Sequence, residues 1–228
     1  MKLATLRTAA GTAAVVITDD SAIEIAGVAD SAWAPVVPAP GRILCAGLNY
    51  RNYILEMGRE LPEHPTFFAK FPEALIGAFD PIELAAISTA VDWEGELAVI
   101  IGAPLRNATE AEAEEAIAGY AVFNDVSMRD FQYRTLQWLQ GKTFENTTPF
   151  GPHLVTTDEW APGPRMTTVG GGEAVQQEDA AGPNAERYVH NMNSRSLQAH
   201  LVVTLCLRIG ERAAAATTSE WATGTSGK

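Results

Sequence analysis

The sequence is short of basic residues and of cysteine. Its 228 residues include 16 lysines and arginines against 28 aspartates and glutamates, which gives a formal net charge of −12 at pH 7. So acidic a chain is disfavoured as a partner of nucleic acid or of an anionic membrane surface, because both carry charge of the same sign. The two cysteines, Cys45 and Cys206, lie far apart without C-x-x-C spacing. No disulfide framework is therefore expected, and the sequence predicts a cytoplasmic protein.

Several motifs are also missing. No stretch approaches the roughly 18 consecutive apolar residues that a membrane span needs. There is no G-x-S-x-G and no G-x-G-x-x-G, and the four histidines show no metal-ligand spacing such as H-x-x-x-H. Gly141-Lys142-Thr143 resembles the end of a P-loop, but Leu136 occupies the position of the first glycine of that motif. These absences disfavour serine hydrolases, NTPases and dinucleotide-dependent enzymes.

The most informative stretch that is present covers residues 91–102. It begins with acidic residues, continues as an apolar and partly β-branched run and ends on glycine, which predicts a strand entering a sheet interior. Glu94 and Glu96 would then share one face, roughly 7 Å apart at Cα. Two adjacent carboxylates beside an apolar run repel each other, and a divalent cation would offset that repulsion. The alternative is an exposed strand end with both acids in solvent.

A third carboxylate, Asp125, follows the strand predicted at residues 120–124. Three carboxylates and water form an oxygen shell that suits Mg²⁺ or Mn²⁺ better than zinc. Such an ion can polarise a carbonyl group and stabilise an enolate. Lys70, Arg129 and Lys142 could supply the positive charge that an anionic substrate needs, but a lone lysine is usually a surface residue, so composition alone gives each of them little weight.

The residue patterns predict a chain made mostly of short strands, with few helices. Residues 1–38 are expected to form a small N-terminal β-meander, with a proline-rich linker before a catalytic domain at residues 42–228. Thr109 and Glu112 form a capping-box pattern that predicts a helix closing at Gly119. An apolar run predicts a late strand at residues 201–207.

Six segments together resemble the fumarylacetoacetate hydrolase family. They are residues 47–50 (GLNY), 68–71 (FAKF), 92–97 (DWEGEL), 124–130 (NDVSMRD), and 141–144 (GKTF) with 151–152 (GP). They occur in the family's order, and the similarity covers about residues 42–178. The resemblance implies an α+β fold that is predominantly mixed β, a β-roll or sandwich with few helices, usually as a homodimer. It also implies a small-molecule substrate, an acylpyruvate or a related 2-oxo or enol acid, that the enzyme hydrolyses, decarboxylates or isomerises.

The resemblance also assigns residues. It places a Mg²⁺ or Mn²⁺ ion, with Ca²⁺ as an alternative, on Glu94, Glu96 and Asp125. The substrate-binding residues it implies are Lys70, Arg129, Gln132 and Lys142.

One departure from the family lies in residues 49–56 (NYRNYILE). Hydrolytic members carry N-Y-x-x-H-x-x-E, in which a histidine and a glutamate on a lid activate water. Here Tyr53 replaces the histidine and Glu56 is retained. A tyrosine with an ordinary pKa of about 10 is a poor general base at neutral pH, so enolisation is expected to survive this change better than hydrolysis. The catalytic candidates are Glu56, Tyr53 and Lys142.

The second departure is an aberrant C-terminal region. Residues 207–211 (LRIGE) and 222–227 (ATGTSG) resemble the family's L-x-P-G-D and A-T-G-T-P-G-G, but about ten residues separate them where the family has about two. Residues 179–196 also lack the family pattern. Two hypotheses remain open: compensating frame disturbances within residues 179–221, or a divergent tail with a genuine insertion.

Two other functional hypotheses follow from the residues. The first is a catalytically impaired paralogue that still binds a metal, suggested by Tyr53 and the altered tail. The second is a carboxylate-pair hydrolase of the glycosidase type. Glu94 and Glu96 on one strand face fit the second poorly, because such acids must flank the scissile bond.

Overall fold

The computed structural model describes residues 1–17, 32–47, 66–162, 165–170, 172–179 and 201–206, together with residues 58, 60 and 64. Within these ranges most of the regular structure is strand, and the helices are short. The strands are β1 (Lys2–Thr8), β2 (Gly11–Ile17), β3 (Arg42–Gly47), β4 (Thr66–Lys70), β5 (Leu75–Ile76), β6 (Val91–Asp92), β7 (Gly95–Ile101), β8 (Ile117–Asn124), β9 (Ser127–Met128), β10 (Thr148–Pro149), β11 (His153–Thr156), β12 (Arg165–Gly170), β13 (Glu173–Asp179) and β14 (Leu201–Cys206). The helices are α1 (Glu110–Glu115), α2 (Arg129–Gln132) and α3 (Leu139–Lys142), with a 3₁₀ turn at Pro72–Ala74. None of the described helices has the length and apolar character required to cross a membrane.

A mixed sheet of eight strands dominates the described residues, in the order β2-β1-β11-β8-β7-β14-β3-β4. Neighbouring strands run antiparallel except β14 and β3, which are parallel. The predicted class, predominantly β with few helices, is therefore confirmed.

The central strand β7 is buried on both faces, as its uninterrupted apolar run predicts. Ala98 and Ile100 pack on one side with a cluster that includes Phe123 and Phe150. Val99 and Ile101 pack on the other side with residues of α1 and its C-terminal end. Glu96 is two residues before Ala98, so it lies on the same face of the strand. Its carboxylate is therefore at the end of the cluster that contains Phe123 and Phe150.

The register of β7 and β8 brings the acidic residues together. Gly95 pairs with Asn124, so Glu94 and Asp125 flank the same end of the ladder. The amide of Asp125 donates to the carbonyl oxygen of Glu94 over 2.8 Å. Lys70 is the last residue of β4. Three of the predicted site residues are therefore positioned by strand ends: Lys70, Glu94 and Asp125.

The prediction of one continuous strand at residues 91–102 was wrong. Asp92 belongs to β6 and pairs with Ser127 of β9, and β7 begins only at Gly95. Contacts with distant residues explain the break, because Asp92 pairs with Ser127 and the Glu94 amide donates to the side-chain oxygen of Asn124. An Asp92 carboxylate oxygen also accepts from the Trp93 amide. Glu94 consequently lies before β7 and not on a shared strand face with Glu96.

The predicted capping box at Thr109 and Glu112 is confirmed, but the helix ends earlier than expected. Helix α1 stops at Glu115, and Gly119 lies inside β8. The predicted late strand is confirmed as β14. The N-terminal hairpin of β1 and β2 joins the main sheet because β1 pairs with β11. The boundary between domains at residues 1–38 and 42–228 stays a prediction.

Candidate active site

The three carboxylates predicted as metal ligands are all buried. Glu94 is 3% exposed, and Glu96 and Asp125 are 0% exposed. This burial excludes the alternative in which Glu94 and Glu96 lie in solvent. A buried carboxylate needs a nearby cation or several hydrogen bonds to remain ionised, so the surroundings of these groups define the chemistry of the site.

Two buried lysines contact the carboxylates directly. Lys142 Nζ lies 2.8 Å from Glu94 Oε2 and 2.7 Å from Asp125 Oδ2. Lys70 Nζ lies 2.5 Å from Asp125 Oδ1 and donates to the carbonyl oxygen of Val126 over 3.2 Å. Asp125 is thus held between two ammonium groups.

Arg129, the first residue of α2, completes the cationic side of the site. Its Nη2 lies 2.5 Å from Glu94 Oε1, and its Nη1 donates to Gln132 Oε1 over 2.6 Å. Burial on its own would lower the pKa of a guanidinium, but the carboxylates of Glu94 and Asp92 raise the pKa of Arg129 above its ordinary value. Arg129 is therefore a permanent positive charge beside Glu94.

The carboxylates offer oxygen donors that suit a divalent ion, in two overlapping groups: Glu94 with Asp125, and Glu96 with Asp125. Oxygens of Glu94 and Asp125 already converge on one cation, Lys142 Nζ, which shows that a single positive centre can contact both. One oxygen of Glu96, one oxygen of Asp125 and the sulfur of Cys45 all lie within 4.8 Å of one another. The oxygen donors suit Mg²⁺, Mn²⁺ or Ca²⁺, whereas the sulfur adds a softer donor at the edge of the set.

The structure brings together seven of the predicted site residues. They are Lys70, Glu94, Glu96, Asp125, Arg129, Gln132 and Lys142. Tyr53 and Glu56 lie outside the described residues, as does the tail beyond residue 206, so their predicted roles and departures stay predictions.

Sequence reasoning missed three neighbours of the site. Asp92 binds Arg129, Cys45 lies beside Glu96 and Asp125, and the Phe68 ring centroid lies 4.9 Å from Lys142 Nζ. Asp92 and Phe68 both occur inside the motifs quoted above, so their proximity to site residues along the chain was an available signal. Cys45 carried no such signal, because it meets Glu96 only through the pairing of three strands.

A glycine fixes the position of Lys142. A Cβ on Gly141 would lie 2.5 Å from the Gln132 amide nitrogen and 2.6 Å from the Met128 carbonyl oxygen. Both contacts are with backbone atoms, which cannot rotate away. The absence of a side chain at position 141 thus lets α3 lie against α2, which brings Lys142 close to Arg129 and Gln132.

We expect Gly141→Ala to separate these two helices and displace Lys142. The unfolding free energy should fall by about 1–3 kcal/mol, the usual cost of overpacking, and activity should fall together with it. Denaturant unfolding monitored by tryptophan fluorescence measures the first effect. Gln140→Ala on the exposed side of α3 is the matched control and should be close to neutral. Equal stability of the two variants would contradict this account of the close approach.

A known protein family matches the part of the chain that contains this site. Residues 42–184 match the model described as fumarylacetoacetate (FAA) hydrolase, C-terminal, which is more than half of the chain. The chain belongs to this family. The family match spans β3 to β13 and includes all the buried carboxylates and lysines described above.

Similar proteins within the family carry different activities in their names. A mitochondrial oxaloacetate tautomerase of Xenopus laevis is 44% identical over 121 residues, which is 52% of this chain and 38% of that protein. The chain therefore spans less than half the length of this curated relative. The crystal structure of a 5-carboxymethyl-2-hydroxymuconate delta-isomerase from Mycobacterium smegmatis has a TM-score of 0.75 and 28% identity, covering 91% of this chain and 88% of that one. A fumarylacetoacetate hydrolase from Exiguobacterium antarcticum has a TM-score of 0.76 and 28% identity, covering 90% and 86%.

Proposed function

We propose that this protein is a divalent-metal-dependent enzyme that acts on the enol tautomer, or on a C–C bond, of an acylpyruvate-like 2-oxo acid. The observation that carries the proposal is the convergence of the Glu94 and Asp125 carboxylates on Lys142, at 2.8 and 2.7 Å, in a fully buried setting. Family membership and the named activities of the relatives support the same class of reaction. A role in aromatic or amino-acid catabolism belongs to this proposal.

In this proposal Glu94, Glu96 and Asp125 hold a Mg²⁺ or Mn²⁺ ion, which would supply Lewis acidity toward the substrate carbonyl. Lys70 and Lys142 place their side-chain nitrogens next to the carboxylates, in a buried region where electrostatic interactions with an anionic substrate are strong. The Gln132 amide group, 5% exposed and fixed by Arg129, orients the substrate. Tyr53 and Glu56 are the proposed proton-transfer groups.

Keto–enol conversion or isomerisation is favoured over hydrolysis within this proposal. Hydrolysis needs a base that activates water, and Tyr53 stands where hydrolytic members of the family carry histidine. Tautomerisation needs only a proton removed at carbon and a proton delivered at oxygen. The names of two relatives, a tautomerase and a delta-isomerase, support this preference.

A panel assay tests the proposed function. Purified protein with Mg²⁺ or Mn²⁺ is offered enol oxaloacetate, acylpyruvates and diene-dioates, and the loss of the enol absorbance or of substrate is followed. We expect turnover of at least one keto–enol substrate, which stops in excess chelator and returns when the metal is restored. Full activity in excess chelator would contradict the metal mechanism. A folded protein that turns over none of the substrates would favour the impaired metal-binding paralogue.

We also propose a homodimer. The support for this assembly is the resemblance to the family, whose members are usually homodimers, and size-exclusion chromatography with light scattering would test it.

A further inference from the structure

Asp92 lies beside the buried carboxylates and forms an ion pair with Arg129. It is the last residue of β6 and pairs with Ser127 of β9, two residues before Arg129. Its Oδ1 accepts from the Trp93 amide over 3.0 Å, which fixes the carboxylate plane. Its Oδ2 then accepts from Arg129 Nε over 2.8 Å and from Nη2 over 2.6 Å. Asp92 is therefore a rigid anchor for one edge of the guanidinium.

The other contacts of Arg129 leave its orientation little freedom. Its Nη1 donates to Gln132 Oε1, and its backbone amide donates to the Ala90 carbonyl oxygen over 2.7 Å. The same Nη2 that binds Asp92 lies 2.5 Å from Glu94 Oε1. The guanidinium is planar, so fixing its edge at Asp92 fixes where Nη2 meets Glu94. Asp92 and Glu94 are thus linked through one nitrogen atom.

We propose that Asp92 is a positioning residue that acts through Arg129 to set the location of the Glu94 carboxylate for a divalent ion. This inference rests on the proposed function, since it assigns Asp92 to the same metal site. Asp92 balances the guanidinium charge, so Glu94 does not have to neutralise Arg129 alone. Without that balance the guanidinium would hold Glu94 more strongly and would compete with a metal ion for its oxygens.

Metal affinity is the appropriate measurement, because a role confined to fold stability would not change it in a folded sample. Mn²⁺ is titrated into wild-type protein and Asp92→Asn at one pH, with calorimetric detection. Removing a group that orients a metal ligand costs about 10–100-fold in affinity, so a loss of about tenfold or more is expected. Asp130→Asn is the matched control, because it removes the same charge from the residue that follows Arg129. The Asp130 carboxylate accepts from Ser88 Oγ over 2.6 Å. This control should leave the affinity nearly unchanged.

A double-mutant cycle tests whether Asp92 acts through Arg129. In an Arg129→Gln background, Asp92→Asn should produce no further loss of Mn²⁺ affinity, because the linking side chain is already gone. If the losses of Mn²⁺ affinity in the two single variants simply add in the double variant, the proposal is overturned. Unchanged affinity in Asp92→Asn while wild-type protein binds Mn²⁺ would overturn it too, and would leave the proposed function intact. Wild-type protein that neither binds Mn²⁺ nor turns over substrate would overturn both.

A second variant covers the case in which Asp92→Asn does not fold. Arg129→Lys keeps the positive charge but has no planar fork with which to contact Asp92 and Glu94 together. The same fall in Mn²⁺ affinity is expected for this variant. An affinity equal to that of wild-type protein would overturn the proposal.

Discussion

Lys142→Met should lower the free energy of unfolding by about 3–5 kcal/mol, the cost of removing one partner from a buried ion pair. Lys142 is 1% exposed and its ammonium group contacts both Glu94 and Asp125. Methionine fills a similar volume but leaves two buried carboxylates with less compensating charge. The mutual repulsion of these carboxylates and their lost solvation therefore lower the free energy of unfolding. Equilibrium denaturation with urea at neutral pH is the measurement.

Lys2→Met is the matched control for Lys142→Met. Lys2 makes an ion pair with Glu159 over 3.7 Å, and both side chains are about 40% exposed. An exposed pair of this kind contributes only about 0–1 kcal/mol, so the control should be close to wild type. A loss for Lys142→Met no larger than that of the control would show that the buried carboxylates do not depend on this lysine. Added Mn²⁺ should restore part of the lost stability, because binding to the native state alone stabilises it.

Asp125→Asn should lower turnover by about a thousandfold, equivalent to about 4 kcal/mol of transition-state stabilisation. Asp125 is 0% exposed and lies between Lys70 and Lys142. An amide cannot accept from both ammonium groups, because one of its two polar atoms is a donor. The substitution therefore removes a metal ligand in our proposal and also separates the two lysines. Steady-state kinetics with saturating Mn²⁺ measures the effect.

The control for Asp125→Asn removes a carboxylate from an ion pair elsewhere. Asp80 pairs with Arg7 of β1, and two strands, β11 and β8, separate β1 from β7 in the sheet, so Asp80→Asn should leave turnover unchanged even if stability falls slightly. Turnover of Asp125→Asn within a few-fold of the control would contradict a role for this carboxylate in the reaction.

Local patterns were sufficient to predict much of this site. Lys70 ends a short apolar strand and Asp125 follows one, and turn residues flank both strands. Such strand ends can be predicted from the sequence because burial and alternation are local properties of the chain. The capping box at Thr109 was readable for the same reason, since all its contacts span three residues. The family resemblance then connected these separate signals into one site.

Other features depend on pairing between distant parts of the chain. The strand predicted at residues 91–102 breaks because Asp92 pairs with Ser127, which no pattern within the segment specifies. Cys45 reaches the carboxylates because β14 lies between β3 and β7, a placement determined by strand order. The end of α1 at Glu115 was missed because the pairing of Ile117 with Ile101 prevailed over the helix-stop signal of Gly119. In each case a long-range contact overrode a local preference.

We propose that Glu94, Glu96 and Asp125 hold a catalytic divalent ion. The most direct test of this proposal is Mn²⁺ binding to the wild-type protein and to Glu96→Gln, measured on the same samples as turnover. We predict a single Mn²⁺ site in the wild-type protein, and loss of both Mn²⁺ binding and turnover in Glu96→Gln with the fold retained. Turnover that persists in wild-type protein stripped of metal, or Mn²⁺ binding that is the same in both proteins, would contradict the account.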